Sequence, residues 1–120
     1  MNPFPKEHEL IGLFESEPRV LDEATPWFYN SLFFTLIRDQ DRLECSLEPA
    51  HGVLSLTLKT GDRILYELTF ENIIGMEIER GTGKEQATFL FSDEDTMKTL
   101  LLETRPAICL RTTNDNSFRK

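Results

Sequence analysis

From Leu43 to Phe91, apolar and polar residues alternate through five consecutive segments, and this pattern constrains the fold more than any other feature of the chain. Leu43, Cys45 and Leu47 alternate with Glu44, Ser46 and Glu48, and Leu54, Leu56 and Leu58 with Ser55, Thr57 and Lys59. Ile64, Tyr66, Leu68 and Phe70 alternate with Leu65, Glu67 and Thr69. Ile74, Met76 and Ile78 then oppose Glu77 and Glu79, and Ala87, Phe89 and Phe91 follow in phase. Successive side chains of a strand point to opposite faces, so the pattern predicts antiparallel strands with one dry face and one wet face. Polar turns separate the segments at Asp39–Arg42, Pro49–Gly52, Thr60–Asp62, Glu71–Asn72 and Gly81–Lys84.

The flanks read differently. Leu10, Leu13 and Phe14 have helical spacing between Pro5 and Ser16, and Pro18 ends that segment. Val20 to Pro26 is an acid-rich connector. Phe28 to Arg38 carries Leu32, Phe34 and Leu36 on one face and Tyr29, Phe33 and Ile37 on the other. A strand apolar on both faces is expected inside the structure or under a covering helix. Beyond the alternating run, Ser92 and Asp93 offer N-caps, and Met97, Leu100 and Leu101 predict a helix over 94–104 that stops before Pro106. Ala107 to Thr112 follows as a last strand, and the polar tail over 113–120 is expected to fray. The fold class is therefore α+β, a single domain over residues 1–120. Its core is an antiparallel meander of six to seven strands, a curled sheet or half-barrel, with an N-terminal and a C-terminal helix.

A chain of 120 residues buries a core without disulfides, and Cys45 and Cys109, isolated among apolar neighbours, read as free thiols. No stretch approaches the ~20 apolar residues of a membrane helix. The N-terminus lacks the basic-then-apolar character of a signal peptide, which places the chain in the cytoplasm by default. Thirteen Lys and Arg face twenty-one Asp and Glu, for a net charge of −8. Residues 1–95 hold 8 bases and 19 acids, net −11, whereas residues 96–120 hold 5 bases and 2 acids, net +3. So acidic a body repels nucleic-acid backbones and attracts a basic protein partner. Oligomeric state is not legible.

Candidate chemistry is sparse. His8 and His51 have no second His or Cys at ligand spacing, so neither a metal nor a cofactor is implied. Cys45 has no adjacent base or helix N-terminus to activate it, although a pairing with His51 stays open. Gly81-Thr82-Gly83-Lys84 connects two strands rather than opening a helix, and reads as a hairpin turn instead of a phosphate loop. Glu77 and Glu79 fall on the wet face, where no desolvation raises a carboxyl for acid–base work. No catalytic residue is assigned, and the chain reads as a non-enzyme. The candidate partner-binding residues are Glu44, Glu48, Glu67, Glu77 and Glu79, an acidic outer face of the meander. Trp27 joins them, as either a buried anchor or an interface hot spot.

Leu10-x-x-Leu13-Phe14-x-x-x-Pro18, then Leu21-Asp22-Glu23-Ala24, then Leu68-Thr69-Phe70-Glu71-Asn72-Ile73-Ile74-Gly75-Met76-Glu77-Ile78 form a helix, an acidic connector and a strand–break–strand unit. This pattern, over residues 10–80, resembles the small immunity proteins of bacterial polymorphic-toxin and contact-dependent inhibition systems. The resemblance implies a non-enzymatic protein that binds and blocks a cognate toxin. It assigns no binding residue. Two alternatives are a pleckstrin-homology-like β-meander module, which needs hairpins followed by a helix, and an acidic secretion chaperone.

Overall fold

In the computed structural model, which describes residues 1–92 and 97–113, the alternating segments pair into two antiparallel sheets. The first contains β1 (Arg19–Val20), β2 (Leu32–Arg38), β3 (Asp41–Glu48), β4 (Val53–Thr60) and β5 (Arg63–Phe70), in that order. The second contains β6 (Ile73–Gly81), β7 (Lys84–Phe91), β8 (Thr99–Arg105) and β9 (Cys109–Thr113). Helix α1 (Glu7–Phe14) precedes them, and 3₁₀ turns occupy Trp27–Tyr29 and Pro49–His51. Leu32, Phe34 and Leu36 of β2, Leu43, Cys45 and Leu47 of β3 and Leu54, Leu56 and Leu58 of β4 are buried. They share one core with Met76, Ala87, Phe89, Leu100 and Leu102 of the second sheet and Leu10, Leu13 and Phe14 of α1. Two sheets closing on each other bury both apolar faces, which one flat meander leaves half bare.

The single meander of six to seven strands expected from the alternation is thus corrected to nine strands among the described residues, divided between two sheets. The chain leaves the first sheet after Phe70 and turns at Asn72, whose φ of 64° is left-handed. The C-terminal helix expected over 94–104 is also corrected. Thr99–Arg105 is a strand, held between β7 and β9 with Leu100 opposite Phe89 and Leu102 opposite Leu110. Leu100, Leu102 and Thr104 point inward, a period of two that outweighs the helical spacing of Met97, Leu100 and Leu101 once both edges are paired. Of the expected N-caps, Ser92 follows β7 outside any helix, and Asp93, like the first-turn acids Glu94 and Asp95, lies outside the described residues. Thr113 closes β9, and the rest of the expected tail lies outside them as well.

The two-sided strand is corrected too. Phe28 and Tyr29 belong to a 3₁₀ turn, and among the described residues no helix covers the outer face of β2: Ile37 is 62% exposed. Phe33 lies on that face, where the Arg19 guanidinium covers its ring at 5.0 Å. Two bulges shift the phase elsewhere. Leu58 pairs with Tyr66 but Lys59 with Ile64, which turns Ile64 outward. A second irregularity between Ile73 and Gly75 buries Ile73 and exposes Ile74, while Met76 stays inward. Gly81-Thr82-Gly83-Lys84 is a two-residue hairpin, with Gly81 opposite Lys84 and Gly83 at φ 70°.

Three devices join the sheets. The N-terminal residues run along β6, with Asn2 N–H donating to Ile74 O and Met76 N–H donating to Pro3 O, both at 2.8 Å. This covers an edge that is otherwise free to pair with another chain. Ile73 N–H donates to Gly52 O at 3.0 Å. At the opposite end, α1 terminates at Glu15 in the left-handed region, φ 59°, which swings its carboxylate onto two arginines. Arg38 Nη1 of β2 donates to Glu15 Oε1 at 2.9 Å and Arg105 Nη2 of β8 to Oε2 at 2.6 Å, while Arg38 Nε donates to Thr104 O at 3.0 Å. Arg105 also meets the buried Glu85 at 3.3 Å, and Arg80 meets Glu85 at 3.6 Å. The hydrogen bonds from Arg38 and then Arg105 hold the Glu15 carboxyl down to about 2, from its ordinary 4.5. A carboxyl depressed in the folded state adds stability above its unfolded value, and that stability is lost as the pH falls from about 4.5 through 2. Because this carboxylate is partly solvated, Glu15→Gln is expected to lower the unfolding free energy at pH 7 by only about 1 kcal/mol. The difference from wild type should close near pH 2, and urea unfolding at the two pH values checks it.

Candidate functional site

The six residues expected to bind a partner do not share one surface. Glu77 and Glu79 line a concavity of about 430 Å³ on the outer face of the second sheet, together with Gln86, Lys84 and Arg111. Gln86 Nε2 donates to Glu79 Oε2 at 3.2 Å, and Lys84 pairs with Glu103 at 3.6 Å. Glu44 lies in a groove on the outer face of the first sheet, between Arg19 and Arg42, and pairs with Lys59 at 3.0 Å. Glu67 stands opposite Thr57 on β5, the edge strand. Glu44, Glu77 and Glu79 therefore sit among compensating bases.

Glu48 is placed elsewhere. It ends β3 beside the Pro49–His51 turn and lines a cleft of about 330 Å³ with Leu21, Asp22, Tyr29, Asn30 and His51. Trp27, at the start of the neighbouring 3₁₀ turn, is half-buried and packs against the core. Two residues on, Tyr29 is 71% exposed, and Leu21 across the cleft is 74% exposed. Sequence reasoning misses both. Leu21 stands out only as an apolar residue in an acidic connector, and the alternation places Tyr29 on a strand face.

The loop that displays them is tightly bonded. Asn30, 6% exposed, donates from Nδ2 to Asp22 O at 2.6 Å and to Thr25 O at 3.0 Å. Its Oδ1 accepts from Asp22 N–H at 3.2 Å and from Ser31 N–H at 2.9 Å. Every polar atom of that buried amide is thereby engaged, which fixes the path of the connector. The Asp22 carboxylate accepts from Thr25 Oγ1 at 2.7 Å and Ala24 N–H at 3.0 Å, bonds that hold its carboxyl below the ordinary range. Leu21 N–H donates to Ser31 O at 3.1 Å.

The side chains capable of chemistry are dispersed. Cys45 faces the core, where burial pushes its thiol far up, whereas His51 is exposed at the cleft, so the two form no nucleophile–base pair. Cys109 is half-buried beside Tyr66, and both cysteines are free. His8 lies on the exposed side of α1. Among the described residues, no three His, Cys, Asp or Glu side chains gather as metal ligands, and no helix is long and apolar enough to cross a membrane.

No family model matches the chain, and no curated protein sequence matches it. Among solved structures, its fold is similar to that of a chain in the contact-dependent growth inhibition toxin–immunity protein complex from Klebsiella pneumoniae 342. The TM-score is 0.77 over 92% of this chain and 94% of that one, at 16% identity. At that identity the likeness is one of fold. The resemblance read from the pattern over residues 10–80 is thus shared by the three-dimensional architecture.

Proposed function

We propose that this chain is an immunity protein, a cytoplasmic, non-catalytic binder that neutralises a cognate toxin whose contact surface is basic. The observation that carries this reading is the fold likeness to a toxin–immunity complex across nearly the whole chain. That complex holds two kinds of protein, and two features support the immunity side here. The net charge is −8, and the potential nucleophile Cys45 is sealed in the core. The strand at Thr99–Arg105 takes the place of the helix that a pleckstrin-homology-like module requires, which favours immunity over that alternative.

The acids on the outer faces, Glu44, Glu67, Glu77 and Glu79, then act chiefly at long range. They steer a basic partner toward the molecule, an effect on association rate that salt screens. The gene adjacent to this one is expected to encode a toxin domain; expressing that domain should arrest growth, and co-expression of the chain should restore it. The two proteins should co-elute as a stoichiometric complex. Failure both to protect and to co-elute overturns the proposal. Reversing Glu77 and Glu79 to Arg together should slow association by about tenfold at low salt and leave dissociation unchanged; an unaltered association rate would remove that face from steering.

A further inference from the structure

The cleft beside Tyr29 differs in kind from the two other large concavities. The outer face of the second sheet sets Lys84 and Arg111 against its acids, and the groove on the first sheet sets Arg19 and Arg42 against Glu44. The walls of the Tyr29 cleft contain Asp22 and Glu48 but neither lysine nor arginine, and His51 is the one basic-type group among them. Two large apolar side chains, Leu21 and Tyr29, stand in solvent at its rim. Buried Asn30 fixes the loop beneath them through four hydrogen bonds.

Each feature has a consequence for binding. Leu21 and Tyr29 expose apolar surface that gains by being covered, and tyrosine is enriched among the residues that dominate interface energies. The loop is already ordered, so docking against it costs little conformational entropy. An aromatic face attracts a cation, and carboxylates nearby pair with its charge. We propose, building on the immunity reading, that this cleft is the toxin's docking pocket. It receives a lysine or arginine side chain of the toxin between Tyr29 and Glu48, with Leu21 covering the apolar stem.

The stems of lysine and arginine are apolar and their heads charged, which matches a rim of Leu and Tyr above acidic walls. The division of labour with the outer faces is explicit. Remote acids govern how fast the partner arrives, and this cleft governs how long it stays.

The test measures association and dissociation rates of the toxin domain that the growth-rescue experiment identifies, with wild type and with Tyr29→Ala, Leu21→Ala and Glu48→Lys. Tyr29→Ala is expected to weaken binding by about 30-fold, through faster dissociation. Leu21→Ala should weaken it by about 5-fold and Glu48→Lys by at least about 10-fold. Tyr29 and Leu21 are exposed, so their variants should melt with wild type. Asp22 is left intact because its carboxylate holds its own loop. Wild-type binding combined with Tyr29→Ala and Leu21→Ala within twofold of it would overturn the pocket while leaving the immunity reading standing. Undiminished binding by Glu48→Lys would overturn the basic occupant, as would self-association abolished by Tyr29→Ala, which would assign the cleft to a second copy. If wild type forms no complex, the immunity reading falls and takes this inference with it.

Discussion

Truncating Phe34 to alanine is expected to lower the unfolding free energy by about 3–5 kcal/mol. Phe34 is 2% exposed, and its ring stacks on that of Phe14 with centroids 4.4 Å apart and planes at 20°. One ring comes from β2 and the other from α1, so this contact fixes the helix on the first sheet. Alanine removes both the buried surface and the partner of Phe14, and α1 cannot follow inward because its C-cap, Glu15, is tied to Arg38 and Arg105. A domain of this size is stable by about 5–15 kcal/mol, so the variant should unfold at a much lower urea midpoint or fail to fold. Phe33→Ala, one residue earlier on the outward face, should cost no more than about 1 kcal/mol, since it loses a half-exposed ring and the Arg19 contact. Phe34→Leu, which keeps most of the volume, should fall between them. Equal losses at 33 and 34 would contradict the inward phase of β2.

The phase of Leu32, Phe34 and Leu36 is legible in the sequence, as are the phases of β3 and β4, because uninterrupted pairing preserves a period of two. Where a bulge intervenes, the same rule misplaces residues. Ile64 and Ile74 both fit an inward pattern on paper, yet one extra residue in each strand turns them to solvent. Such irregularities depend on the partner strand and leave no local mark. Thr99–Arg105 escapes the sequence pattern for a related reason. Leu100, Leu101 and Leu102 fit either period, and pairing on both sides by β7 and β9 decides between them. The candidate site is legible only in part. Alternation identifies Glu48 but groups it with Glu77 and Glu79, which the division into two sheets sends to another surface, and with Glu44 and Glu67, which line up across the first sheet away from the turn at Pro49. Leu21 and Tyr29 meet across a cleft whose geometry comes from Asn30, and a buried amide folding a connector back on itself has no periodic signature.

Gly52→Ala is expected to cost about 3 kcal/mol, the second-largest effect. Gly52 has φ +66°, a conformation that strains any residue with a Cβ, and a Cβ there would lie 2.5 Å from the carbonyl oxygen of Ile73. That neighbour is backbone at the start of β6, and it cannot swing aside as a side chain does. Its own N–H donates to Gly52 O at 3.0 Å, so any shift also loosens the hydrogen bond joining the two sheets. Gly61→Ala separates the two contributions. Gly61 has φ +57°, but a Cβ added there would meet nothing within 4 Å, so it should lose only the left-handed strain, about 1 kcal/mol. Urea unfolding of the pair checks this, and equal losses would reject the close approach at Gly52. The larger variant also reaches the cleft, because Gly52 caps the turn that carries His51 and follows Glu48. A displaced turn moves one wall of the pocket while Tyr29 and Leu21 stay on the Asn30 loop. Folded Gly52→Ala should therefore bind the toxin domain more weakly than Gly61→Ala by more than their difference in stability explains, which ties the junction between the sheets to the surface proposed for docking.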